Sequence, residues 1–190
     1  MKHDLVMRGH AFALRPVTTA DAAFIVDLRS AQGLFLNRGA RSEVAQREWI
    51  ERYFERSDDY YFVVCRNADG EAEGLAGMYD VDDIAQDAEW GRFILRSGSS
   101  AAVETALLVY RCAFDAMGLQ RIHCRTLIDN VQVVAFHDSC GLARRDRPVV
   151  IEHDGQQCEA IEHRLSRAGW PAVRERLDRV ASRVAAASRR

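Results

Sequence analysis

Between Glu89 and Leu142 the chain gathers the residue types best suited to chemistry: a glutamate, a loop of small side chains, an asparagine and a histidine. The loop Ser97-Gly98-Ser99-Ser100-Ala101-Ala102 carries nothing larger than a hydroxyl, and an apolar helix follows it directly. The first amides of a helix have no partner within it and lie at the positive end of its dipole, so this arrangement predicts an anion site, with phosphate as the fitting guest. Asn130 stands just before a second helix, where its side chain is a good N-cap. Glu89 lies on the strand leading into the loop, and His137 lies two turns into that second helix. Both side chains exchange protons within the aqueous range.

Four elements must position these residues. Residues 89–95, EWGRFIL, read as a strand, and Trp90-Gly91 within it predicts a β-bulge, because glycine inside a strand marks a kink or a close backbone approach. The following helix places Val103, Ala106, Leu107, Tyr110, Ala113, Phe114 and Met117 at the 3.6-residue period and belongs in the core. In the next strand Ile122, Cys124, Thr126 and Ile128 alternate with Arg121, His123 and Arg125. The second helix begins after Asn130 and closes on Gly141-Leu142. Strand, helix, strand and helix follow one another with almost no connecting chain, a β-α-β-α unit.

The flanks supply the rest of a sheet. Residues 11–17 read as an edge strand stopped by Pro16; Thr18 and Asp21 have capping-box spacing before a helix built on Phe24, Ile25, Leu28 and Ala31, with Gly33 as its end. Ser42 caps a helix whose Trp49, Ile50, Tyr53 and Phe54 share one face. Strands are expected over 60–66 and 74–81, joined by a turn at Asp69-Gly70, and over 148–153 and 158–164, joined at Asp154-Gly155. Trp170, Val173, Leu177, Val180 and Val184 recur at spacings of three and four, with Pro171 in the first turn where its missing N–H does no harm.

At 190 residues the chain fits one core domain, 1–168, followed by the amphipathic helix and tail, 169–190. A net charge of −2 argues against a general nucleic-acid binder. The five cysteines stand singly and suit free thiols in a reducing, cytoplasmic setting. No His or Cys grouping has metal-ligand spacing, so no metal is expected, and no apolar run reaches the length of a membrane span.

The order of an acidic strand, a small-residue loop, a buried helix carrying Glu104, a strand ending at Asn130 and a helix closing on Gly141-Leu142 resembles the acetyl-CoA core of the GNAT N-acetyltransferases, over roughly residues 11 to 165. The family's loop reads Gln or Arg, two residues, Gly, one residue, then Gly or Ala; anchoring on Glu104 places it over 97–102 and anchoring on Arg96 puts Ser99 and Ala101 at its last two marked positions, either way with serine where glycine is preferred. Asn130, His137, Gly141 and Leu142 keep the spacing of the family's Asn, Tyr and Gly-Phe, with His for Tyr and Leu for Phe.

The resemblance implies an α/β (α+β) fold: a mixed, mostly antiparallel central sheet of six to seven strands, parting parallel central strands, helices on both faces and a C-terminal helix. It implies acetyl-CoA as co-substrate, with Gly98, Ser99, Ser100, Ala101 and Ala102 on its pyrophosphate, Phe93 and Leu95 offering main-chain groups to its pantetheine arm, and Asn130 also in contact. Glu89 takes the place of the glutamate that removes the amine proton, and His137 that of the tyrosine facing the sulfur, active best at mild acidity if it titrates near its ordinary value, with His137 as the base the alternative. Val133, Val134 and Cys140 beside His137 on the helix leave a structural role open. Ser42, Gln46 and Trp49 are similar to the branch that acetylates amino sugars on nucleotide carriers, with Arg38, Arg41 and the acidic residues 80–83 as acceptor contacts. The alternatives are an N-terminal protein or small-amine acetyltransferase and a non-catalytic CoA-binding module. The apolar stripe of the C-terminal helix is expected to make a homodimer contact.

Overall fold

A computed structural model describes residues 2–32 and 35–187. Along the chain run β1 (Met7–Arg8), β2 (Phe12–Pro16), α1 (Ala22–Gln32), α2 (Glu43–Tyr53), β3 (Tyr60–Arg66), β4 (Ala72–Asp82), β5 (Asp87–Leu95), α3 (Ala102–Arg111), β6 (Arg121–Leu127), α4 (Val131–Cys140), β7 (Ala143–Arg144), β8 (Val149–His153), β9 (Gln156–Ser166) and α5 (Trp170–Ala187). The strands form one sheet in the order β1-β2-β3-β4-β5-β6-β9-β7, with β8 also on β9. Every pairing is antiparallel except β5 with β6. Nine strands are seen among the described residues where six to seven were expected; β1 and β7 are two-residue pieces too short to show alternation in sequence.

The period of two along the strands divides the core. On β3, Tyr61, Val63 and Cys65 face α1 and α2, with Ile25, Leu28, Ile50, Tyr53 and Leu75. Phe62 and Val64 face the opposite way, into a larger cluster with Met78, Trp90, Leu107, Tyr110, Phe114 and Ile122. α3 continues into a π-helical turn, Cys112–Ala116, before Gly118 turns the chain at φ +75°.

Local signals are realised. Thr18 donates its N–H (2.8 Å) and its hydroxyl (2.9 Å) to Asp21 Oδ2, opening a short 3-10 turn that runs into α1. Ser42 Oγ accepts from the Ala45 amide at 3.2 Å. Gly33, expected to end the first helix, lies outside the described residues.

The C-terminal helix corrects one expectation. Trp170, Val173 and Leu177 are buried in the same cluster as α3, and Trp170 donates its indole N–H to Asp115 Oδ1 at 2.9 Å. The stripe assigned to a second subunit is therefore covered by the chain's own core, while Val180 stays exposed. The apolar face is regular because α5 caps α3. No helix of the described chain is long and apolar enough to cross a membrane.

Candidate active site

β5 and β6 touch at one bridging pair, Glu89 with His123, and then part. From Trp90 to Leu95 the β6-facing edge of β5 has no strand partner. A bulge drives the parting: Gly91 pairs with Gly77 and Ile94 with Leu75, so three steps of β5 cover two of β4. Arg92, at φ +50°, is the inserted residue. Gly91 beside it leaves room for Tyr79, whose hydroxyl oxygen a Cβ there would meet at 2.5 Å and have to displace. The bulge anticipated at Trp90-Gly91 is thus present, one residue further on.

The gap opens into a cleft of about 1120 Å³. Of the residues singled out from sequence, Glu89, Phe93, Leu95, Asn130 and His137 line it together. Residues 97–100 do not; they line a second hollow of about 670 Å³ with Arg66 and Arg96, and Ala101 and Ala102 line neither. Within the loop, the Ser99 amide donates to Arg96 O (3.1 Å) and the Ala101 amide to Ser99 Oγ (3.3 Å), whereas the amides of Gly98, Ser100 and Ala102 donate no hydrogen bond among the described residues. Ala101 is the N-cap of α3 and, having no polar side chain, caps none of the first amides of that helix. Gly98, at φ +77°, has nothing within 4 Å of where a Cβ would stand. Loop and helix start fit a pyrophosphate through backbone donors. Asn130 caps α4, accepting from the Val133 amide at 3.4 Å, while bordering the cleft.

Glu104 does not reach this site. Its buried carboxylate accepts from the Ala11 amide at 3.0 and 3.2 Å, tying α3 to β2.

Glu89 is 7% exposed. Arg125 Nη2 lies 2.9 Å from its Oε2, His123 Nε2 lies 3.7 Å from the same atom, and the Tyr79 hydroxyl donates to Oε1 at 3.3 Å. Burial raises its pKa above the ordinary carboxylate value, opposed by Arg125 and His123. Such a carboxylate is held in place and takes up a proton more readily than an exposed glutamate does.

His137 is 3% exposed, its ring edge-on to Trp90 at 5.3 Å between centroids. Trp90 belongs to the α3 side of the sheet, and Glu89, its neighbour in the strand, to the other, so Glu89 and His137 border the cleft from opposite faces. The expected titration of His137 near its ordinary value is corrected: burial first, then the charge of His163, lowers it to about 3. The ring is neutral at neutral pH.

Sequence patterns gave no hint of the pairs that build the other wall. Arg92 forms a bidentate pair with Asp59 (2.6 and 2.9 Å), whose carboxylate is almost wholly buried. Its guanidinium sits 4.7 to 5.6 Å from the ring centroids of Tyr79, Tyr61 and Trp49. Asn37 and Arg38 join the opposite rim: the Asp154 amide donates to Asn37 Oδ1 (3.0 Å) and the Arg38 amide to Asp154 Oδ1 (2.6 Å), linking the α1–α2 connection to the β8–β9 turn. Arg38 lines the cleft; Arg41 and residues 80–83 do not. Among the described residues no group of His, Cys, Asp or Glu could hold a metal ion.

This architecture is shared. The chain is similar to apo FdhC, described as a nucleotide-linked sugar GNAT, with TM-score 0.80 and 26% identity over 94% of this chain and 99% of that one. It is similar in fold to the spermidine/spermine N-acetyltransferase SpeG from Vibrio cholerae (TM-score 0.72, 17% identity, 85% and 97% covered) and to a GCN5-related N-acetyltransferase from Brucella melitensis (0.77, 16%, 91% and 83%). Among curated proteins, no sequence matches the chain. The family model for the acetyltransferase (GNAT) domain matches residues 12–143. Because that match takes in both parted strands and the helices that follow them, the chain belongs to the GNAT acetyltransferase family.

Proposed function

We propose that this acetyltransferase moves the acetyl group of acetyl-CoA directly to the primary amine of a nucleotide-linked amino sugar. The observation that carries the reading is the gap between β5 and β6, closed at one end by Glu89 and walled by His137. Acetyl-CoA supplies the activated thioester. The amides of Gly98, Ser100 and Ala102 hold its pyrophosphate, together with the Ser99 and Ala101 turn that shapes them, and Asn130 and the main chain of Phe93 and Leu95 border the arm that follows.

Glu89 removes the amine proton, directly or through one water, with Tyr79 and Arg125 fixing its two oxygens. An acetyl-enzyme is disfavoured because burial raises the pKa of Cys124, the one thiol bordering the cleft among the described residues, well above its ordinary value, so it stays protonated. Direct transfer remains.

Charge supports the sugar over a polyamine. The cleft is bordered by Arg29, Arg38, Arg92 and Arg125 against Glu89 and Glu152; Glu89 answers Arg125 and Asp59 answers Arg92, which leaves Arg29 and the exposed Arg38, 3.7 Å from Asp154, to meet an anion. A polycation needs carboxylates along its path; the phosphates of a nucleotide carrier meet arginines instead. The likeness to the sugar-nucleotide enzyme at 26% identity points the same way. The five free cysteines suit a reducing compartment such as the cytoplasm.

The test measures thiol release from acetyl-CoA with UDP- and dTDP-linked amino sugars, spermidine and peptides with free N-termini. A kcat/KM for one of the sugars at least about 10² above the other amines is expected. Preference for spermidine or a peptide overturns the acceptor assignment, and acetyl-CoA that binds without turnover overturns catalysis.

A further inference from the structure

Beside Glu89 the sheet carries two glycines in register. Glu89 of β5 pairs with Tyr79 of β4, and the next pair on the same side of these strands is Gly91 with Gly77, which in turn lies opposite Tyr61 of β3. Two side chains lie over them. A Cβ on Gly91 would meet the Tyr79 hydroxyl oxygen at 2.5 Å, and a Cβ on Gly77 would meet Arg92 Cδ at 3.3 Å. One glycine makes room for Tyr79 and the other for Arg92.

Arg92 reaches this side through the bulge. In an unbroken strand the third residue after Glu89 points to the opposite face. Trp90 and Phe93 pack on the α3 side and Ile94 on the side of α1 and α2, while the Arg92 guanidinium meets Tyr61, Tyr79 and Trp49 on that second side. The inserted residue thus shares a face with the base. Its backbone, at φ +50°, holds a left-handed conformation unfavourable for any residue with a Cβ, the kind of strain that functional sites retain.

The guanidinium is anchored from behind. The Asp59 carboxylate accepts from Nη1 and Nη2 at 2.6 and 2.9 Å, and it also accepts from Arg56 Nη1 at 3.2 Å. With that fork fixed, the guanidinium lies 4.7 Å from the Tyr79 ring centroid, nearer than to either of its other two rings and within cation–π range. The Tyr79 hydroxyl then donates to Glu89 Oε1 at 3.3 Å. Asp59, Arg92, Tyr79 and Glu89 follow in that order, each touching the next.

We infer that Asp59 and Arg92 are positioning residues for the base: they clamp the Tyr79 ring so that its hydroxyl stays on Glu89 while the amine is deprotonated. The inference rests on the reading of Glu89 given above. Tyr79 borders the cleft, and rotation about its Cα–Cβ bond would carry the hydroxyl off the carboxylate. A flat guanidinium against the ring opposes that rotation, and arginine suits the task because its fork also fits Asp59 at two points. The amine proton passes to Glu89 and from there to solvent; Tyr79, Arg92 and Asp59 neither gain nor lose one.

The groups facing Glu89 are Tyr79 and Asp80 from β4 and Arg125 and His123 from β6. Tyr79, Arg125 and His123 favour its charged form, and Asp80 opposes it. Loss of the Tyr79 hydrogen bond therefore raises the pKa of Glu89 further and moves the rising limb of activity to higher pH.

The test compares the wild type with Tyr79→Phe, Arg92→Lys and the double variant Asp59→Asn/Arg92→Gln. The double variant exchanges the buried ion pair for a neutral pair of similar size and strands no charge. Arg92→Lys keeps the charge on Asp59 but loses the flat face on the ring, and it reports even where the neutral pair folds poorly. A 13C NMR titration of the Glu89 carboxyl, assigned with Glu89→Gln, needs no acceptor; kcat and KM against pH follow from thiol release with the amine preferred in the assay above. Tyr79→Phe and the double variant are each expected to move the Glu89 titration to higher pH and to lower kcat by about tenfold, with acceptor KM held within about twofold. Arg92→Lys shifts both in the same direction by less. Adding Tyr79→Phe to the double variant changes neither further, because the same path is already cut. A Glu89 titration that superimposes on the wild type in both Arg92 variants overturns the clamp and leaves the acetyltransferase intact. A raised acceptor KM with kcat unchanged makes Arg92 a substrate contact and overturns it equally. If Glu89→Gln keeps both the rate and the rising limb, the assignment of the base fails, and the clamp with it.

Discussion

Glu89 and His123 are the last residues at which the two central parallel strands still touch. Glu89 therefore stands where hydrogen bonding along the sheet stops and the cleft begins, with its carboxylate between Arg125 and the Tyr79 hydroxyl. A base must be deprotonated to act, and burial raises this one, so kcat/KM is expected to rise with pH through a pKa above the ordinary glutamate range. Glu89→Gln should lower kcat by about 10² and flatten that rising limb, with acetyl-CoA affinity unchanged. A variant that keeps both the rate and the limb assigns the base elsewhere.

The start of α3 offers a test of cofactor binding that leaves the core alone. Ala102 is half-buried at the first turn, beside amides with no partner among the described residues. Ala102→Glu brings a carboxylate to that spot and is expected to weaken acetyl-CoA by about tenfold, or roughly 1.4 kcal/mol. Calorimetry on the folded variant decides; unchanged affinity places the pyrophosphate somewhere other than these amides.

Asp59 and Arg92 carry a different load. The carboxylate is 2% exposed and answers a guanidinium caged by three rings, so removing it strands a largely buried charge. Asp59→Ala is expected to cost about 3 kcal/mol in urea unfolding, the scale for breaking a buried pair. A loss well under 1 kcal/mol would mean that Arg92 finds water or another partner.

Acid should loosen the fold through histidines that are held neutral. His137 is lowered to about 3 and His3 to about 4, both chiefly by burial. For a group depressed in the folded state, the stability is complete above its unfolded value, near 6.5, and is lost as pH falls through the folded value. His137 alone should account for about 2 kcal/mol of lost stability between pH 7 and pH 5. Unfolding of His137→Phe at the two pH values should show a gap smaller by about that amount. Equal gaps in the two proteins would mean that the ring titrates freely.

The readable parts of this chain were those encoded locally. Thr18 with Asp21, Ser42 with Ala45, the glycine beside the bulge and the alternation in β6 each act within a few residues, and all were visible as spacing. Asp59 with Arg92 joins residues 33 apart, and Asn37 with Asp154 residues 117 apart. Neither pair leaves a periodic trace, because an ion pair or a capped turn needs only one residue on each side. The helix stripe of Trp170, Val173 and Leu177 was correctly read as apolar, but periodicity states that a face is covered and not by what.

The helix that seals α3 follows every strand of the sheet along the chain. Until α5 emerges, the side of the core around Tyr110 and Phe114 has no Trp170, Val173 or Leu177 against it, although every strand of the sheet is already made. At ordinary translation speeds the 18 residues of α5 take about 1 to 4 s to add. For that interval the nascent chain has all of its strands but an unfinished core, and its apolar flank is open to chaperones and to other nascent chains. Closure of this core is therefore a timed event that comes after the sheet is made, and a slow codon run placed just before Gly169 would lengthen its most vulnerable moment.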